Sequence, residues 1–79
     1  MRNVIKEMTQ KGWAIWALVK VGEAPIVFFT NSACKYIGIM VEKSIEKSLV
    51  DSGYVFSKNE KRIQILFDKA KLFSIDGKF

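Results

Sequence analysis

Residues 12–30 read GWAIWALVKVGEAPIVFFT, two strongly apolar segments broken by a short polar turn. Within residues 13–21, one strand face would carry Trp13, Ile15, Ala17, Val19 and Val21, and the other Ala14, Trp16, Leu18 and Lys20. Both sets are mostly apolar, and residues 26–29 are apolar throughout. A strand with one wet face alternates, so these two require cover on both sides. A chain of 79 residues has little material for it, because a domain of this size buries only about 60% of its unfolded surface. The expectation is that another molecule supplies part of the cover.

The polar turn contains Gly22 and Pro25 and has hairpin length, which predicts adjacent antiparallel strands. Before them, Val4, Ile5 and Met8 recur at helical spacing, and Gly12 stands where a C-terminal cap belongs. Residues 3–11 therefore read as a short helix. After them, Asn31 and Ser32 are good N-terminal caps, and a helical pattern runs over residues 33–52 to Gly53. Ile37, Val41, Ile45 and Leu49 form its apolar stripe, with Lys35, Glu42, Lys43, Glu46 and Lys47 largely opposite. Residues 36–41 are apolar all round, which implies burial on more than one side. Residues 54–57 and 62–67 read as strands around the polar turn 58–61, because Ile63, Ile65 and Phe67 alternate with Arg62, Gln64 and Asp68. The tail, residues 69–79, fits either a helical turn or a final strand.

The order is helix, strand, strand, helix, strand, strand. It predicts one α+β domain over residues 1–79, with two helices on a mostly antiparallel sheet. Many unrelated small folds share that order, so it points to no family.

Apolar residues are 49% of the chain and charged residues 27%, which excludes a disordered chain. No stretch approaches the roughly 20 uncharged apolar residues that span a bilayer, since Lys20 and Glu23 interrupt the best one. The amphipathic start, MRNVIKEMTQK, does not resemble a signal peptide. The single Cys34 has no partner for an internal disulfide, and together these features predict a cytoplasmic protein. Near a helix start, Cys34 reads as a small buried hydrophobe of structural value.

Catalysis is not expected. The chain contains no histidine, which removes the commonest general base, the commonest metal ligand and the usual activator of Ser or Cys. One Cys and no His build no zinc site, and the dispersed acids make no calcium loop. The five glycines form no phosphate-binding pattern, and no cofactor is implied.

Two kinds of partner remain. Association with a protein, or with a second copy as a homodimer, would use the unmatched apolar face: Trp16, Leu18, Val27, Phe29, Tyr36 and Ile39 are the candidate contacts. Trp13 and Trp16 differ by three positions and fall on opposite strand faces, so Trp13 is assigned to the core. A small chain of this kind fits regulators, inhibitors and accessory proteins, including those of phages and plasmids. Nucleic acid is the alternative. The net charge is +5, with the excess at the two ends, and Lys58, Lys61, Arg62, Lys69 and Lys71 are the candidate phosphate contacts. Only two of the thirteen cations are arginines, which argues against base-specific reading.

Overall fold

The computed structural model describes residues 3–73. Its elements run α1 (Val4–Gln10), β1 (Ala14–Val21), β2 (Ala24–Thr30), β3 (Tyr36–Met40), α2 (Lys43–Asp51), α3 (Glu60–Lys69) and β4 (Lys71–Phe73). The strands form one sheet in the order β1-β2-β3-β4, antiparallel except for β4, which runs parallel to β3. The α+β class and mostly antiparallel sheet agree with expectation. The element order among the described residues does not, and they form three helices instead of two.

The helix ends follow from glycine and asparagine. Asn3 caps α1 through its side-chain oxygen, which accepts from the Lys6 amide at 3.1 Å. Gly12, at φ +89°, closes it, with the Trp13 amide donating to the Met8 carbonyl and the Gly12 amide to that of Thr9. This is a Schellman closure, which needs a left-handed residue at that position. α2 ends in the same way at Gly53, φ +98°, with Tyr54 donating to Leu49 and Gly53 to Val50. β1 and β2 meet through a two-residue loop, since Val21 pairs with Ala24. Only Gly22 of that loop has a positive φ, the pattern of a II′ turn.

Three segments differ from expectation. Residues 36–41 are apolar all round because β3 lies inside the sheet with both faces covered. No helix therefore begins at Asn31. Its side-chain oxygen instead accepts from the amides of Ala33 and Lys35, organising the turn between β2 and β3. Residues 54–57 form no strand; the Ser57 amide donates to the Leu18 carbonyl at 2.7 Å and ties this segment to β1, at one end of the sheet. Residues 62–67, expected as a strand after a polar turn at 58–61, lie within α3. Asn59 caps it by accepting from the Arg62 amide, and Ile63, Leu66, Phe67 and Ala70 give it a helical apolar stripe. Of the ambiguous tail, Lys69 ends α3 and residues 71–73 form β4; residues 74–79 lie outside the described residues.

α3 supplies the cover the hairpin needed. One face of the sheet packs on α1 and α2, burying Val4, Met8, Leu18, Val27, Phe29, Ile37, Ile39, Val41 and Leu49. The other packs on α3, burying Val19, Ile26, Phe28 and Leu66. Both faces of the hairpin are covered from within the chain, which removes the reason for assigning the second cover to another molecule.

A β-bulge decides which residue faces where. Ile15 pairs with Phe29 but Ala17 pairs with Phe28, leaving Trp16 as the extra residue. Trp13, Ile15 and Leu18 consequently pack with α1 and α2, and Trp16, Ala17 and Val19 with α3. The opposite placement of the two tryptophans holds, but beyond the bulge the expected faces of Ala17, Leu18 and Val19 are exchanged.

Candidate binding surface

Trp16 and Tyr36 come from β1 and β3 yet meet beside α3, their ring centroids 4.5 Å apart and their planes tilted by 39°. The bulge turns Trp16 to this side, and Tyr36 is the first residue of β3. Arg62 and Lys69 stand two helical turns apart on one flank of α3. The Arg62 guanidinium lies 5.6 Å from the Trp16 ring centre, and the Lys69 ammonium 5.7 Å from that of Tyr36. At exposed sites such cation–π contacts contribute about 0.5–1 kcal/mol each. Arg62 Nη2 also donates to the Trp16 carbonyl at 3.4 Å. The rings are half-buried and the cations exposed. Beside them is an open depression of about 250 Å3 lined by Trp16, Ala17, Leu18, Val55, Ser57 and Arg62.

The structure thus joins two residues expected at a protein interface, Trp16 and Tyr36, with two expected at phosphates, Arg62 and Lys69. It separates the others. Leu18, Val27, Phe29 and Ile39 are each at most 2% exposed in the core under α1 and α2, so they present no free face. They are buried because two helices dock on the strand side that was read as uncovered. Lys58 and Lys61 are exposed around the start of α3. Lys71 pairs with Ile37 in the sheet and lies over Phe73, a neighbour of the α1/α2 core, so the five cations do not form one rim. Val55 and Ser57 escaped the sequence reading. Gly53 had marked the end of the preceding helix, but nothing local shows that the chain then turns along β1.

Away from this surface, Lys20 Nζ donates to Glu46 Oε2 at 2.9 Å, and Lys43 adds ion pairs at 3.5 Å to both Glu46 and Glu23. The Lys20 hydrogen bond holds the Glu46 carboxyl below its ordinary pKa and raises that of Lys20, with partial desolvation opposing both shifts. A second groove, of about 330 Å3, runs between α1 and α2. The Thr9, Ser48 and Ser52 hydroxyls that line it donate back to carbonyls of their own helices. Cys34 is exposed in the turn between β2 and β3 at φ +57°, not buried on a helix flank. The Asn31-centred turn places it there.

Among the described residues, no group of three or more Cys, Asp or Glu is positioned to hold a metal ion. Among them too, no helix is long and apolar enough to cross a membrane. Comparison with protein-family models, curated proteins and solved structures finds no match to this chain.

Proposed function

We propose that this is a non-catalytic binding protein that engages a protein partner through the surface formed by Trp16, Tyr36, Arg62 and Lys69. One observation carries the reading: a Trp, a Tyr and an Arg from three separate elements converge at the surface beside an open, partly apolar depression. These three residue types dominate the binding energy of protein interfaces, where each offers large contact area with a polar handle. A cytoplasmic regulator, inhibitor or accessory protein, of phage or plasmid origin among others, acts by such occupancy and needs no catalytic group. Self-association through the hairpin loses its motive, because both hairpin faces are packed by the chain's own helices.

A single-stranded nucleic acid is the second reading, favoured by cations placed over aromatic rings. It ranks second because base stacking needs a free ring face. Trp16 and Tyr36 already have each other and a cation as neighbours.

A photo-reactive phenylalanine analogue in place of Tyr36, irradiated in cells of the source organism, tests the proposal. The expected product is one discrete protein adduct, lost when Arg62→Glu is added and retained with Lys47→Gln on the exposed side of α2. Adducts to nucleic acid, or only to a second copy of the chain, would overturn it.

A further inference from the structure

The depression beside Trp16 is too small for a drug-sized ligand, whose sites measure about 300–1,000 Å3, but its 250 Å3 suits one side chain. Its lining is apolar at Trp16, Ala17 and Val55, and polar at Ser57 and Arg62; the Leu18 side chain is buried on the other face of the sheet. Val55 is 82% exposed, an aliphatic group in water at the rim of the depression. Among the described residues Arg62 has no carboxylate partner; its contacts are the Trp16 ring and one long 3.4 Å bond to the Trp16 carbonyl. A guanidinium carries five N–H donors in a planar fork, so most remain available to a planar oxyanion. Lys58 and Lys61 add positive charge nearby in the chain, and Glu60 falls on the opposite flank of α3 from Arg62.

Recognition here must come from side chains. Ser57 donates to the Leu18 carbonyl on the side of β1 that faces no other described strand, so a partner cannot extend the sheet at that point.

We infer that the depression seats one aliphatic side chain of an acidic peptide segment, with a neighbouring carboxylate of that segment paired to Arg62. The inference rests on the protein-binding reading and names the chemistry of the partner. Charge complementarity points to this occupant: a guanidinium with no carboxylate partner among the described residues borders a partly apolar seat in a chain of net charge +5.

The test is an NMR titration of the native protein, following the Trp16 indole N–H and the Val55 methyls. The probe is a capped pentapeptide with leucine between two pairs of glutamates. A saturable shift of both signals is expected. Affinity should fall by about tenfold or more when the leucine is replaced by serine, or all glutamates by glutamine. Arg62→Gln should cause a similar loss, with Lys47→Gln leaving affinity unchanged. Should Arg62→Gln disturb the amide spectrum, Val55→Ser at the exposed rim supplies the second variant, and a several-fold loss is expected there.

Equal binding of the serine peptide would overturn the seat. Absence of a saturable shift at millimolar peptide would overturn the inference. Tighter binding of single-stranded oligothymidylate at the same residues would replace the acidic peptide with nucleic acid. A protein adduct through position 36 without any peptide shift leaves the protein-binding reading standing and removes only this one.

Discussion

The two faces of the sheet are built from the same strands but closed differently. Toward α1 and α2, nine described residues are buried, and two glycine-closed helices lie side by side over them. Toward α3, only four are buried, and one helix leaves Trp16 and Tyr36 at its border. Val21 and Leu72, at 52% and 49% exposed, lie beyond its reach. Among the described residues, the two sides of the sheet are covered unequally. The thickly covered side holds the fold, and the thinly covered side leaves aromatic surface where a partner can gain contact.

Emptying each side in turn should show how much each contributes to the fold. Phe29→Ala on the α1/α2 side should cost about 3–5 kcal/mol in chemical denaturation and shift unfolding of the whole chain. Leu66→Ala, removing the fully buried anchor of α3, should cost about 2–5 kcal/mol. Hydrogen exchange should then separate them: Leu66→Ala raises exchange in α3 above that in α1, whereas Phe29→Ala raises both alike. Equal exchange in both variants would mean that the two sides act as one unit.

Gly38 sharpens the picture at the thin side. A Cβ there would come within 2.8 Å of Leu72 Cδ2 and 2.9 Å of Phe28 Cε1. Leu72 is half-exposed and can swing away, but Phe28 is fully buried and sits edge-on to Phe67 at 5.4 Å. Gly38→Ala should therefore lower stability by about 1–3 kcal/mol, measured as a fall in the denaturation midpoint. An unchanged midpoint would show that the α3 side yields more readily than its packing indicates.

Arg62→Ala should cost less, about 0.5–1 kcal/mol, because its ring contact is exposed. Its larger effect should appear in fluorescence. The emission of Trp16 should move to the red in a Trp13→Phe background, as the ring loses its cover.

The smallest effect belongs to the Lys20–Glu46 link on the thick side. Glu46 titrates lower in the folded chain, so its contribution is present above the ordinary carboxylate range and fades as pH falls through the depressed folded value. Lys20 titrates higher, so its contribution is complete below its ordinary value and fades as pH rises through the raised one. The melting temperature against pH should carry a shallow limb at each end, and Glu46→Gln should flatten both.

Several of these features were legible in the chain. Gly12 and Gly53 mark true helix ends, and the apolar pair 13–21 and 26–29 is the hairpin. What failed has one physical source: apolar runs without a polar counterphase fit two periods. Residues 36–41 satisfied a helix and are mainly the inner strand β3. Ile63, Ile65 and Phe67 satisfied a strand, while Ile63, Leu66, Phe67 and Ala70 satisfied the helix that forms. The Asn59 cap distinguishes the two. The bulge at Trp16 left no trace, because both parities around it are apolar. The members of the candidate surface were named in two separate groups. Their meeting depends on α3 crossing back to β1, a contact 46 residues apart.

The parallel pairing of β4 with β3 has a consequence for the order of assembly. β1, β2 and β3 follow one another through short turns, so their pairing closes only small loops. β4 reaches β3 only after α2, the segment along β1 and α3 have all been traversed. Closing a longer loop costs more chain entropy and slows the step that depends on it. Chain entropy alone thus favours pairing of the three-stranded meander before α3 and β4 dock. Where that order governs, the aromatic surface beside α3 is the last part of the described chain to be assembled.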